Sequence, residues 1–222
     1  MENIESIERF VEYGLRKDVN MRFLRKMTWG LNIWWILGFF IGYLLGGITF
    51  VYGTVILCLG LLSPVFIEIK RKDESVYGVA RGWCVLSITS IVNHILLAEI
   101  LCGMLTSSIA LKLVIAALPL GMIFLLYFVT KRRIKTNAFK DSQRVAKSNI
   151  RLFCPVWGAI GISFGRLFMT KLQQESAIAI VIICFLVFSL LYCFGTINLL
   201  KVYYINKYNL EKYKHIEERP DK

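Results

Sequence analysis

Six stretches of the chain are apolar over about the 20 helical residues that cross a hydrocarbon core of roughly 30 Å. They fall at about 29–47, 48–67, 82–103, 109–129, 151–169 and 177–200. The first two are nearly continuous, and Gly46-Gly47 marks a tight turn between them. The connections between the other runs are polar or short. This pattern predicts an all-α fold, a bundle of six transmembrane helices over 29–200. An amphipathic segment, 1–28, precedes the bundle, and a basic tail, 201–222, follows it.

Residues 4–19 read as an interfacial helix. Ile4, Ile7, Val11 and Leu15 recur near helical spacing, with Glu5, Glu8 and Glu12 elsewhere on the wheel. Met21, Phe23, Leu24 and Met27 then stand among basic residues. The segment suits a helix lying on the membrane before the first span; a docking surface for a cytoplasmic partner is the sharper alternative. Glu2, Glu5, Glu8 and Glu12 come before any long apolar run, which is unlike a cleavable signal peptide, so the first span is expected to remain as an anchor.

Charge gives the expected orientation. With six spans, the segments 1–28, 68–81, 130–151 and 201–222 share one side, and they hold 24 of the 27 Lys and Arg residues. Only Lys112, Arg166 and Lys171 fall on the other side. Cytoplasmic connections are the ones enriched in Lys and Arg, so both termini are expected in the cytoplasm. The same asymmetry accounts for most of the formal charge of +12 without nucleic acid. Anionic lipid headgroups are the natural partners of these basic segments, and Tyr203, Tyr204, Tyr208 and Tyr213 among lysines suit a membrane-boundary tail.

Composition narrows the class. Of 222 residues, 56% are apolar and 19% charged, against roughly 25% charged in an average soluble domain. A disordered chain, a fibrous one and an ordinary soluble enzyme are excluded. The six cysteines, at 58, 84, 102, 154, 184 and 193, show no C-x-x-C spacing and no nearby histidine pattern, so they read as unpaired thiols with no metal site. Only Cys84 and Cys154 fall near a membrane boundary. No cofactor is expected, because no phosphate-binding, dinucleotide or catalytic signature occurs.

Within the spans a few residues stand out. Gly38, Gly42 and Gly46 repeat every fourth position, as do Gly161 and Gly165, a spacing that lets helix backbones approach closely in lipid. An internal contact is expected for them. Pro64 and Pro119 lie mid-span, where each removes a backbone donor. The third span is the most polar, with Ser87, Thr89, Ser90, Asn93, His94 and Glu99; Ser87, Ser90 and His94 share a helical face. An ionisable group inside a membrane is a functional candidate by default. A neutral histidine bonded to a neighbouring helix is the plainer reading. Glu99, Lys112 and Arg166 lie at similar depth near the outer side, either as an ion pair or polar pocket or as side chains reaching the headgroups. The candidate ligand-binding set is therefore Asn93, His94, Glu99 and Arg166.

The layout resembles the AgrB-like membrane cysteine endopeptidases, which process cyclic-peptide precursors. The likeness rests on Trp29-Gly30-Leu31-Asn32 at the first span, two spans and a basic turn, Cys84 opening the third span, and Thr130-Lys131-Arg132-Arg133-Ile134 after the fourth. It covers about residues 1–150 and implies Cys84 as nucleophile. That family carries a histidine seven residues before the catalytic cysteine, and here that position is Tyr77. Tyrosine is a poor base at neutral pH, with a reference pKa of about 10. The residues themselves favour a non-enzymatic, multi-pass transport, binding or assembly component of a bacterial cytoplasmic membrane, working alone or with a protein partner.

Overall fold

The computed structural model describes residues 4–13, 21–105, 108–139 and 174–214, and these are almost entirely helical, with no strand among them. In chain order the helices are α1 (Ile4–Glu12), α2 (Met21–Leu45), α3 (Gly47–Ile69), α4 (Val76–Leu105), α5 (Ile109–Lys135), α6 (Gln174–Cys193) and α7 (Ile197–Lys207). A 3-10 turn, Phe194–Thr196, joins α6 to α7 without a break, and a second one, Glu211–Tyr213, follows. Five helical stretches are long and apolar enough to cross a membrane: α2, α3, α4, α5 and the continuous Ile178–Lys207. Five of the six expected spans thus appear. The run at 151–169 lies outside the described residues, as do Cys154, Gly161, Gly165, Arg166, Lys171 and His215.

The helices start and stop where the chain makes them. Gly46 (φ 70°) and Gly47 (φ 57°) take left-handed backbone between α2 and α3, where a side chain would be strained. The Ser108 side chain accepts a hydrogen bond from the Leu111 N–H and so caps α5. Pro64 leaves the Gly60 carbonyl without its helical donor, and the Ser63 hydroxyl donates to that carbonyl at 3.4 Å. Helix α2 begins at Met21 and so includes the basic stretch before its apolar run.

Helix α4 is the axis of the bundle. Its buried residues occur on all sides, from Gly78 to Cys102, and α2, α3, α5, α6 and α7 all pack on it. The most polar of the long helices is therefore the most enclosed, as expected when lipid offers polar groups no partners. The apolar surface lies outside. On α5, Leu113, Leu120, Phe124 and Phe128 are all more than half exposed, Phe124 by 73%. Continuous apolar flanks of this kind suit hydrocarbon and not water.

Glycine sets the tightest contact. A Cβ at Gly42 would lie 2.5 Å from the Thr49 carbonyl oxygen and 2.9 Å from the Gly53 Cα, so the α2 and α3 backbones touch there. Further along, Trp35 lies against Gly60, and Leu97 of α4 against Gly38. Gly38 and Gly42 thus make the internal contacts expected of the repeat, whereas Gly46 lies in the turn with nothing within 4 Å of a Cβ.

The two ends of the bundle can be told apart. At the near face, Met21 and Leu24 of α2 cluster with Ile67 of α3 and Val79 and Leu86 of α4. The end of α5 (Ile134, then Phe139) and the end of α7 (Leu200, Tyr204, Ile205) meet Ile7, Phe10 and Val11 of α1 at the same face. At the far face, Ala98 and Cys102 of α4 pack with Ile115 of α5 and Ile182 of α6. Phe139 therefore belongs to the near face, and the start of α6 to the far one.

The apolar face of α1 is taken up by the chain itself instead of facing lipid. The Ser6 hydroxyl donates to the Ile134 carbonyl at 2.5 Å, the Tyr213 hydroxyl to Glu12 at 2.7 Å, and Lys212 pairs with Glu8 at 2.9 Å. Burying an Ile, Val or Phe side chain contributes about 1.5–3 kcal/mol each in transfer terms, against which stands the cost of ordering the backbone, about 1–2 kcal/mol per residue. A short helix at the chain's end holds only because three apolar side chains and these polar ties act together.

Candidate functional site

The polar positions of α4 lie inside the bundle. Ser87, Ser90 and Asn93 are fully buried and His94 nearly so. Their spacing on one side of α4 turns them toward α3 and α6. The Asn93 amide donates to the Ile56 carbonyl on α3 at 3.2 Å. His94 Nδ1 lies 2.6 Å from the Ser90 carbonyl oxygen. A carbonyl can only accept, so Nδ1 carries hydrogen and donates, and Nε2 is left as the acceptor in the neutral ring.

Four aromatic rings surround that imidazole. Trp35 of α2 meets it edge-on at 5.2 Å between centroids, and Tyr192 of α6 stacks on it at 5.6 Å. Phe185 and Phe188, also of α6, lie at 5.8 and 5.9 Å. The Tyr192 hydroxyl adjoins the Ser90 hydroxyl. Electron-rich ring faces suit a polar hydrogen or a positive charge between them. Three further buried atoms, the Ser87 hydroxyl, the Asn93 amide oxygen and the Ser189 hydroxyl, have no hydrogen-bond partner among the described residues. Buried polar atoms are nearly always bonded. These atoms are spread along α4 and α6: Asn93 faces α3, and the Ser87 hydroxyl lies against Gly195 of the 3-10 turn.

The other candidates are not part of this group. Glu99 is half-buried near the far end of α4, and Lys112 of α5 lies within electrostatic reach without closing a salt bridge. Arg166 lies outside the described residues. Glu68, at the end of α3, pairs with Arg25 at 2.9 Å and Arg71 at 3.2 Å, tying the start of α2 to the end of α3.

Cys84 is buried two turns along α4 from Tyr77. Ten residues of helix, a rise of about 15 Å, separate it from His94. The Tyr77 hydroxyl accepts from the Asn206 amide at 3.3 Å. The charged neighbours of the thiol are Lys201 and Arg81. No group of three or more metal-ligating side chains occurs among the described residues.

Sequence reasoning missed two features. One is the ring enclosure, whose only signal was the spacing of Phe185, Phe188 and Tyr192 on one face of α6. The other is Lys201, read as a tail lysine but only 3% exposed. Its ammonium donates to the Tyr13 carbonyl at the end of α1 and lies 5.7 Å from the Phe10 ring centroid. It thus caps the negative end of α1.

No family model, no curated protein and no solved structure matches the chain.

Proposed function

We propose that the chain is a six-span, non-enzymatic binding or transport component of a bacterial cytoplasmic membrane, with both termini in the cytoplasm. A small polar solute would sit against Asn93 and His94. The observation that carries this reading is the buried imidazole of His94 set among four aromatic rings, with the unpartnered amide oxygen of Asn93 next to it along α4. Two things support the topology. Phe139 and the first buried residue of α6, Ile182, belong to opposite faces, as the proposed six-span order requires. The described Lys and Arg residues also concentrate at the near face, and Lys112 alone among them stands toward the far one.

A mild-detergent purification of the tagged protein, read by mass spectrometry for proteins and small molecules together, tests this. The wild type is expected to carry a small polar molecule that His94→Ala loses by tenfold or more, with an unchanged elution profile. Equal retention by the variant would remove His94 from the site. A stoichiometric membrane or ATPase partner would make the chain one component of a larger assembly.

A second reading keeps Cys84 as the nucleophile of a peptidase similar to the AgrB-like enzymes. One observation favours it: a buried lysine, Lys201, lies within electrostatic reach of the thiol. On this reading Cys84→Ser abolishes peptide processing. On our preferred reading Cys84, buried in the bundle, is labelled by a thiol reagent only after the protein is unfolded. Labelling of Cys84 in the folded protein would favour the peptidase.

A further inference from the structure

We propose that Arg81 anchors an oxyanion site at the near face, occupied by the phosphate of an anionic phospholipid headgroup. Its guanidinium carbon lies 5.6 Å from the centroid of the Phe66 ring, on α3, and 5.5 Å from that of the Tyr77 ring, on α4. Rings from two helices thus fix the group in place. Among the described residues it has no carboxylate partner and no hydrogen-bond acceptor. Of the acids nearest in sequence, Glu68 pairs with Arg25 and Arg71, Asp73 accepts from the Ser75 hydroxyl and N–H, and Glu74 is exposed and forms no salt bridge with Arg81.

Lys201 and Arg81 both lie within electrostatic reach of the Cys84 thiol. The contacts of Lys201, the Tyr13 carbonyl and the Phe10 ring, carry no formal charge. A guanidinium beside a hydrocarbon layer, with no anion next to it among the described residues, is costly. A phosphate removes that cost, because a held guanidinium presents paired donors that match two of its oxygens. Basic pockets between spans on the cytoplasmic side take phospholipid headgroups in this way. The lipid, not free phosphate, is favoured by what flanks Phe66 on α3: Val65 is 54% exposed and Ile69 73%, an apolar wall for acyl chains below the headgroup.

This inference rests on the membrane-spanning reading, so insertion is scored first, by resistance of the protein to alkaline extraction from membranes. Full-length chain is then placed in nanodiscs of phosphatidylcholine with or without phosphatidylglycerol, and retained lipid is counted by native mass spectrometry. Wild type is expected to keep one phosphatidylglycerol that Arg81→Gln holds about tenfold more weakly, a loss of about 1.4 kcal/mol. Arg71→Gln, which removes a guanidinium already paired with Glu68, keeps it. Arg81→Lys preserves the charge without the planar donors, and its weaker retention is expected even if the glutamine variant fails to fold. Equal retention by wild type and Arg81→Lys, in inserted protein, overturns the site. Displacement of the lipid by inorganic phosphate, with phosphate bound equally in phosphatidylcholine discs, overturns the lipid as its source. Extraction of the protein by alkali overturns the membrane reading instead.

Discussion

Gly42→Leu is expected to unfold the α2–α3 pair. A Cβ there meets backbone on two sides, the Thr49 carbonyl oxygen and the Gly53 Cα, and backbone cannot rotate aside as a side chain would. The helices must separate to admit the new side chain, and that withdraws Trp35 from Gly60 and Leu97 from Gly38. Overpacking of this kind costs about 3 kcal/mol, the upper part of the usual range, and domains have only about 5–15 kcal/mol to lose. Thermal unfolding followed by size-exclusion chromatography reads the effect as a large fall in Tm and a loss of monodisperse protein. Gly30→Leu and Gly121→Leu are the matched controls, since neither Cβ position has a neighbour within 4 Å. Their Tm values are expected to stay within the range of ordinary surface changes, about 0.5 kcal/mol. A Gly42 variant as stable as these would mean that the backbones do not touch.

The glycine contact also shows what the sequence can and cannot reveal. The repeat at Gly38, Gly42 and Gly46 is legible because lipid-facing helices rarely need small residues at fixed spacing. Its partners, Gly53 and Gly60, carry no such repeat. They meet α2 only because the turn at Gly46-Gly47 fixes the register of α3, and register is a three-dimensional property.

The same division holds for α1. Its amphipathic spacing says that one face must be buried, but not against what. A membrane surface and the end of the bundle satisfy the pattern equally. Ile134, Tyr204 and Tyr213 provide the covering surface, and each lies more than a hundred residues away in the chain. Lys201 was hidden for a related reason. A lysine at the end of an apolar run normally reaches for headgroups, and only the arrival of α1 overhead encloses it.

At the candidate site, the polar face of α4 could be read from Ser87, Ser90, Asn93 and His94 alone. A helix that carries such residues through lipid must turn them inward. The enclosing rings could not be read, because Trp35 and Tyr192 come from helices far apart in sequence. Nor could the sequence separate Glu99 from this group. Its spacing from His94 along α4 places it near the far end, where Lys112 and not the histidine is its charged neighbour.

Fusions at Phe139 and at Gln174 have the largest expected contrast of any measurement on this chain, because each reporter is active on one side of the membrane only. Phe139 belongs to the near face with the end of α5, and the helix that opens at Gln174 packs its first buried residue, Ile182, at the far one. In the proposed orientation the basic near face is cytoplasmic. Green fluorescent protein joined after Phe139 is therefore expected to fluoresce, and alkaline phosphatase joined there to be inactive. Joined before Gln174, the two reporters exchange behaviour. That pair of results places a crossing between the two positions and completes the six-span bundle with α4 at its centre. Reporters that behave identically at the two positions would put Phe139 and Gln174 on one side of the membrane and contradict the arrangement on which the α4 site and the near-face lipid site both depend.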